Sequence, residues 1–474
     1  MAEEEGITAK KKDFSEWYNQ AVFAAGILDK RYDVKGLNVW MNYGYEIMLN
    51  LKNFWDLLFR EHGIKEMYFP LLVPEKYCEQ NPSWWEGFKD QAYWVKSSDE
   101  DKASHILRPT GEPAMYPMFS TWIRSHRDLP FRIYETVSSF RYETKHTRPL
   151  IRDREITLWH EIHTAHASSE EAEKEASLHQ KLYDIIWRKC ALLPLKVVKP
   201  EWEIFPGAVG AVEYYNYMPS GKVMENGSIN NLGQAYSKKF NIKFRDKDKK
   251  EKYAWQLCTG NGARLLAAVI GVHGDDKGLV LPPEIAPVQV VIVPIYNNKT
   301  KSKVVGKAQQ LKAKLPFRVE VDDRDEFTPG WKFNYWEMKG VPVRIELGER
   351  EIAGKTITVA RRDTGKKEKI AEKLLEDRIK KLLGSMQNDL LENSKKQLEV
   401  AVHTAKNKKE ISSLAGNGKI AKVHWCGSEK CWGGIKDIEE GIELFGTDLK
   451  KSGKGKCVLC GKATDTVGYV ANTY

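Results

Sequence analysis

The chain is predicted to be a multidomain α/β protein, and three features of its sequence carry that prediction. Residues 14 to 285 mix amphipathic helical stretches with alternating, strand-like runs around one charged hairpin. Residues 286 to 400 alternate strand and helix behind the run Val288–Pro294, apolar but for Gln289, and residues 401 to 474 carry four cysteines in two close pairs. At 474 residues, 42% hydrophobic and with 15 Trp and 20 Tyr, the chain has material for two or three packed cores at roughly 150 residues each.

Composition narrows the classes. No run of about 18 apolar residues occurs and the start MAEEEGITAKKK lacks the apolar centre of a signal peptide, so a cytoplasmic protein with no membrane span is expected. An excess of 75 basic over 65 acidic residues permits an anionic partner such as RNA without requiring one. Of the 7 Cys, three stand alone and four form Cys426-x4-Cys431 and, 25 residues on, Cys457-x2-Cys460. Two such pairs can set four thiolates tetrahedrally around Zn²⁺, which fits a reducing compartment better than a disulfide framework does.

Taken in order, residues 1–13 read as a charged, flexible lead. Phe14–Leu28 is an amphipathic helix with Trp17, Ala21, Ala24 and Ala25 on one stripe. Tyr45–His62 is a longer one stopping at Gly63, and Lys65–Leu72 a short strand closing at Pro70. Asn81–Val95 concentrates Trp84, Trp85, Phe88, Tyr93 and Trp94, enough to line a pocket or fill a core. Leu107–Pro113 then leads into an apolar helix, Ala114–His126. A hydroxyl and a carboxylate at such a loop, Thr110 and Glu112, can accept from an amine, although by itself the pattern is an N-cap with an acidic first turn.

The hairpin follows. Ile133, Glu135 and Val137 alternate up to Phe140-Arg141-Tyr142-Glu143, a basic Pro-bearing loop spans Thr144–Ile151, and Arg152-Asp153-Arg154-Glu155 re-enters an alternating run. Two such strands would hold Arg141, Glu143, Arg152 and Glu155 on one sheet surface. Guanidinium groups there can fork onto phosphate oxygens while a carboxylate accepts from the exocyclic amine of a purine; solvated cross-strand ion pairs are the plainer alternative. Trp159, Glu161 and His163 alternate onto one face of the continuing strand. Ser169–Leu193 is a helix with acidic residues in its first turn, and Val209–Phe244 alternates like strands around turns at Pro219-Ser220-Gly221 and Asn226-Gly227. Gln256–Arg264 followed by apolar Leu265–Val272 is a strand, a Gly-rich turn that lets backbone approach a ligand, and a buried helix.

Past Gly278–Pro287 the second half opens on Val288–Pro294, read as a buried parallel strand. It continues with a helix at Lys303–Leu315, a strand at Phe317–Val321, a helix at Trp331–Lys339 and a strand at Val341–Leu347. Lys332, Lys339, Arg344, Arg350, Arg361 and Arg362 cluster along it. Ile370–Lys409 is one long helix or a pair of them with charged outer faces.

Several of these strings together resemble a known family. FRYE, a loop and RxRE over Phe140–Glu155 resemble motif 2 of the class II aminoacyl-tRNA synthetases. Phe69–Pro74, Arg108–Glu112, Thr147–Arg152, His273–Pro283 and Asp322–Gly348 narrow the resemblance to the prolyl-tRNA synthetases of the archaeal and eukaryotic type, over nearly the whole chain. The resemblance implies an antiparallel-sheet catalytic domain at residues 14–285, an α/β anticodon-binding domain at 286–400 and a small zinc-binding α/β domain at 401–474. It also implies a homodimer formed through the helix and strand before Pro70. About a hundred residues separate the hairpin from Arg264, which leaves no room for the inserted editing module of many bacterial members, so mischarged alanine would be cleared by a separate protein.

The same resemblance implies roles. Arg141 and Arg264, the latter from a segment similar to motif 3, would be the catalytic cations. Thr110, Glu112, Arg141, Trp159, Glu161, His163, Asn230, Cys258 and Gly260 would hold proline, and Arg141, Glu143, Arg152, Asp153, Glu225, Ser228 and Arg264 would hold ATP with Mg²⁺. Glu337 and Arg344 would read the anticodon of tRNA(Pro), a carboxylate and a guanidinium suiting guanine edges. Cys426, Cys431, Cys457 and Cys460 would hold Zn²⁺. Gly111, Glu225, Ser228, Asn230, Asn231 and Leu257 depart from the family's usual Ser, Gln, Thr, paired His and small polar residue, and so alter the amino-acid pocket on several sides. Two other functions remain open on these residues: a relative that activates a different small amino acid, and a non-catalytic tRNA-binding relative.

Overall fold

The computed structural model describes residues 6–99, 101–144, 146–451 and 453–474. The site stands on one antiparallel sheet. Phe131–Phe140, Glu155–His166, Trp255–Asn261, Val223–Gly233, Gly210–Tyr217 and Leu195–Val198 pair in that spatial order, each antiparallel to the next, and Lys65–Glu66 adds a parallel pair at the outer edge. The period of two decides what each face does. Thr259 points to the helix Ser169–Lys189, where it meets His179 Nδ1 at 2.8 Å, while its neighbours Cys258 and Gly260 point the other way, into a cavity. The helix face is closed by Asn42–Glu61, Ser169–Lys189 and Arg264–His273, whose apolar stripes merge into one core. Fully burying each Leu or Ile there stabilises by roughly 2 kcal/mol relative to exposure.

The second domain is a five-stranded sheet ordered Val319–Val321, Val290–Ile295, Val343–Gly348, Thr356–Arg361, Lys367–Ala371. Val290–Ile295 runs parallel to both neighbours and is buried but for its last residue, which is why it reads as an unbroken apolar run. Lys301–Lys314 and Pro329–Met338 are its helices. A helix of 27 residues, Leu375–Ala401, packs Ile379, Leu382, Leu383 and Met386 on this core. Through Gln387 and Ser394 it bonds back to the backbone of Arg188, Lys189 and Leu193. The tail forms its own strands, Val402–Thr404, Ile420–His424, Val467–Asn472 and Ile442–Thr447, joined to the central sheet through the pair Thr447 and Val198. No helix among the described residues is long and apolar enough to cross a membrane.

Four sequence expectations need correction. The Lys65–Leu72 strand is only Lys65–Glu66; Phe69 N–H turns to the Glu135 carboxylate, and the next pairing, Leu72–Pro74, belongs to a separate three-stranded sheet. Asn226-Gly227 is no hairpin turn but a bulge inside Val223–Gly233: Gly227 takes φ +109°, and the ladder shifts between Glu213 and Tyr215. The lead is tied down where it is described, Ala9 N–H to Gln20 at 2.9 Å and Lys11 N–H to Asp276 at 2.8 Å, while its first five residues lie outside the described residues. The basic cluster is no cationic face. Lys332 is buried against the Asp322 carbonyl, Arg362 grips Asp275 through two bonds, Arg361 pairs with Asp363 and Asp389, and Arg344 with Glu337 and Glu346; Arg350 is exposed.

Candidate active site

The hairpin loop does more than the alternation predicts. The ladder ends at Phe140 and Glu155, so Arg141, Glu143 and Arg152 sit in the connecting segment rather than on the sheet surface; Glu155 turns to Ser138 and stays out of the site. The loop is folded back by an Arg148–Arg152 bridge and by Leu150 at φ +64°. Asp153 fixes this shape by accepting from Leu150 N–H at 2.7 Å and from Asn38 at 2.8 Å, and burial pushes its carboxyl up to about 7. Lys145 of this loop lies outside the described residues.

Arg141, Glu143, Arg152, Asp153, Trp159, Glu225 and Arg264, with Asn226, Asn261 and Gly262, thereby line one narrow cleft of about 70 Å³. Arg264, the first residue of its helix, donates to the Ile151 carbonyl at 2.9 Å and to Glu225 Oε2 at 2.6 Å. That pair spans the lining of the cleft. Burial first, and then the neighbouring Arg264, lowers the affinity of the Arg141 guanidinium for its proton. Two guanidinium groups that close are an anion site.

A second cavity of about 330 Å³ shares Arg141, Trp159 and Glu225 with the cleft. At one end lie Thr110, Glu112, Glu161, His163, Asn230, Cys258 and Gly260. The Thr110 hydroxyl accepts from Trp84 Nε1 at 3.1 Å, and Glu112 Oε2 is buried with no partner among the described residues. Burial holds the Glu112 carboxyl above the ordinary range. Glu161 goes the other way: burial would raise it, but the His163 hydrogen bond and charge, Arg108, and the Gly111 N–H outweigh that and hold it low. His163 is correspondingly raised against burial by Glu161, and its Nδ1 meets Tyr116 Oη at 2.9 Å. An unpartnered buried acceptor beside a second hydroxyl is what a secondary ammonium would satisfy. Asn230 donates to Ser228 Oγ at 3.1 Å and reaches Cys258 Sγ at 3.7 Å.

The glycines serve a purpose beyond the one predicted. A Cβ on Gly260 would stand 2.2 Å from Trp159 Cζ2, and one on Gly262 3.1 Å from Cε3, so besides lining the two cavities they admit the indole that divides them. Leu257 and Asn231 are also displaced from the expected pocket. They pair with each other and alternate with Cys258 and Asn230, so they face the helix side. Lys199, Phe205, Glu213 and Tyr215 line the larger cavity and were not singled out from sequence. Glu213 and Tyr215 do show the i, i+2 spacing that marks one face, but Lys199 comes from a different segment.

Away from this site, Glu337 accepts from Arg344 at 2.8 Å and from Lys277 at 3.1 Å, with Arg344 lying 4.2 Å over the Phe333 ring. The four tail cysteines have Sγ atoms all within 4.8 Å of one another. Tetrahedral zinc at a Zn–S bond of about 2.3 Å needs sulfurs roughly 3.8 Å apart, so the set fits the ion with slight contraction. The Cys426 thiol is already lowered to about 6, burial opposing and Ser428 hydrogen bonds favouring the thiolate. For Mg²⁺, Glu143 and Glu225 supply carboxylates at the cleft where phosphate charge would need neutralising.

Residues 93–273 match the tRNA synthetase class II core domain (G, H, P, S and T), and residues 289–382 the anticodon binding domain. The chain is 42% identical to a proline–tRNA ligase of Thermofilum pendens, over 99% of this chain and 100% of that one. It is 43% identical to the proline–tRNA ligase of Thermoplasma volcanium, over 96% and 97%. Its structure is similar to that of Giardia lamblia prolyl-tRNA synthetase in complex with prolyl-adenylate, with a TM-score of 0.94 and 33% identity over 99% of this chain and 100% of that one. The prolyl-tRNA synthetase of Cryptosporidium parvum complexed with halofuginone and AMPPNP gives a TM-score of 0.93 at 33% identity, over 100% and 99%.

Proposed function

This chain belongs to the proline–tRNA ligases, a family of class II aminoacyl-tRNA synthetases, and from that premise we propose that it activates proline with ATP and transfers the prolyl group to the 3′ end of tRNA(Pro). The observation that carries this is the junction of the two cavities at Arg141, Trp159 and Glu225. A proline whose ammonium meets Thr110 and Glu112 extends its carboxylate to Arg141, where the α-phosphate of an ATP lying along Arg152 and Arg264 would arrive. A carboxylate oxygen attacks the α-phosphorus, the bond to the pyrophosphate oxygen breaks, and pyrophosphate leaves with the electron pair. The carboxylate is already ionised near neutral pH, so this half-reaction is positioning and charge stabilisation. Glu143 takes the adenine amine, Ser228 and Asp153 flank the nucleotide, and Trp159, Glu161, His163, Asn230, Cys258 and Gly260 enclose the ring. Mg²⁺ between Glu225 and the phosphates would supply counter-charge.

The remaining assignments follow the same reading. Residues 14–285 activate, 286–400 bind the anticodon through Glu337 and Arg344, and 401–474 hold structural Zn²⁺ through Cys426, Cys431, Cys457 and Cys460. The enzyme works in the cytoplasm as a homodimer, a state supported by Leu57 and Tyr68, 60% and 72% exposed around the helix Asn42–Glu61 and the strand after it. ATP–pyrophosphate exchange across the amino acids tests the proposal. Proline alone should support fast exchange, and no exchange with proline would reject it.

A further inference from the structure

One lobe of the larger cavity is lined by residues assigned above to neither proline nor ATP. Beyond the Arg141–Trp159–Glu225 junction it runs past Phe205 to Lys199, Glu213 and Tyr215. Glu213 lies opposite Ser228 in the ladder and Ser228 opposite Gly260, so at about 4.8 Å per strand its backbone is roughly 10 Å across the sheet from Gly260, and both line the same cavity as Trp159.

The two interactions of the Glu213 carboxylate fall on one oxygen. Tyr215 Oη donates to Oε2 at 2.6 Å, and Lys199 Nζ stands 3.8 Å from the same atom, beyond hydrogen-bond reach. Oε1 has no hydrogen-bond partner among the described residues. Lys199 is held in place from behind, 5.6 Å over the Trp432 ring, and Trp432 Nε1 is in turn bonded to Glu203 at 2.7 Å. The charged and titratable groups around Glu213 are thus Lys199, Tyr215 on its own strand, Glu225 on the next and Glu203 on the preceding turn. Burial, opposed by Lys199 and Tyr215 and reinforced by Glu225 and Glu203, pushes the carboxyl up to about 7.

Activation needs no base, but transfer does, because its nucleophile is a neutral hydroxyl. We propose that Glu213 is the proton acceptor of the transfer half-reaction, taking the proton of the terminal ribose hydroxyl of tRNA on Oε1. As the deprotonating ribose oxygen bonds to the prolyl carbonyl carbon, the bond from this carbon to the phosphate oxygen breaks and AMP leaves with the electron pair. The assignment rests on the prolyl-adenylate chemistry above, and its test separates the two.

Enzyme loaded with prolyl-adenylate is mixed with tRNA in a rapid quench, and ATP–pyrophosphate exchange is run alongside. For Glu213→Gln, which keeps volume and the Tyr215 contact, the single-turnover transfer rate should fall on the order of 10²-fold while exchange stays within about twofold. In the parent the transfer rate should climb through pH 7 as the carboxyl ionises; in the variant that climb should flatten, and Glu213→Asp should restore part of it. Transfer at the parental rate, slowed transfer with an unchanged pH profile, or exchange falling in parallel would each overturn the assignment. Absence of proline-dependent exchange in the parent would overturn the activation chemistry itself and the assignment with it.

Discussion

Replacing Gly260 by Ala tests whether Trp159 is the divider on which both cavities depend. The added Cβ would stand 2.2 Å from Cζ2, 2.9 Å from Cε2 and 3.1 Å from Cη2 of the indole. Carbon atoms pack at about 3.5–4.0 Å, so the ring must retreat by roughly 1.3 Å or more. It cannot do so freely, because its other edge lies on Gly262, whose own Cβ position is 3.1 Å from Cε3. Overpacking of this kind costs about 1–3 kcal/mol of stability. The catalytic effect should be larger: a shift near 1 Å in a positioned group costs on the order of 10²-fold, about 2.7 kcal/mol in the barrier. Steady-state ATP–pyrophosphate exchange should show kcat/KM for proline down by that factor, with a folded protein by circular dichroism. Gly262→Ala, with its milder contact, should lose less. If Gly260→Ala exchanges within about threefold of the parent, Trp159 is not the wall between amino acid and nucleotide and this account of the glycines is wrong.

Other substitutions separate binding from structure. Glu112→Gln should raise KM for proline by roughly 10- to 100-fold, the loss expected for one charge-assisted bond. Its folded-state pKa lies above the unfolded value, so the buried charge costs stability above the ordinary carboxylate range and that cost fades as pH falls through the folded value; the variant should be no less stable than the parent at pH 7, as read by thermal melts. Glu225→Gln should raise KM for ATP, most at low Mg²⁺, because the carboxylate proposed to hold the metal is gone; a KM lowered by up to about fivefold, the effect of only freeing Arg264 from a partly exposed pair worth up to about 1 kcal/mol, would refute that role. Elemental analysis should find one zinc per chain, and Cys431→Ser or a strong chelator should melt the tail early, whereas no bound metal would refute the site.

The elements were legible where one physical signal dominates. Val290–Pro294 is apolar throughout because both sheet faces are covered, and Trp159, Glu161 and His163 alternate because only one face of their strand meets the cavity. Arg141 and Arg152 of the hairpin loop and Arg264 of a distant helix do line one cleft. What the sequence hid depends on long-range partners. The shape of the hairpin loop rests on a left-handed Leu150 held by Asp153 and Asn38, and nothing local announces it. The charge count along Lys332–Arg362 does not reveal that Asp322, Asp275, Asp363 and Glu346 absorb most of it. Glycine spacing announced a close approach, but not that an indole is one of the groups it admits.

The departures from the family's usual pocket weigh less once each side chain has a face. Leu257 and Asn231 point to the helices, so they cannot choose the amino acid. Gly111 is dictated by its surroundings, since a Cβ there would stand 2.7 Å from Met115 Cε and 2.8 Å from Glu161 Oε2, the oxygen that the Gly111 N–H itself binds. Any larger residue would pry Glu161 from His163. Glu225 acts on the nucleotide side through Arg264. Only Ser228 and Asn230 remain in the lining of the larger cavity, where Asn230 Nδ2 donates to Ser228 Oγ at 3.1 Å and reaches Cys258 Sγ at 3.7 Å. The proposed selection of the amino acid rests on Thr110 and on Glu112, whose Oε2 has no hydrogen-bond partner among the described residues, in the cavity that Trp159 also lines. An amine held by two acceptors under an aromatic wall suits the ring nitrogen of proline, and a flexible primary amine of similar size loses more side-chain entropy in the same site. Alanine and cysteine should accordingly support exchange, but with kcat/KM well below that of proline, and Glu112→Gln should lower the proline rate far more than the alanine rate if the charged acceptor is what selects the ring.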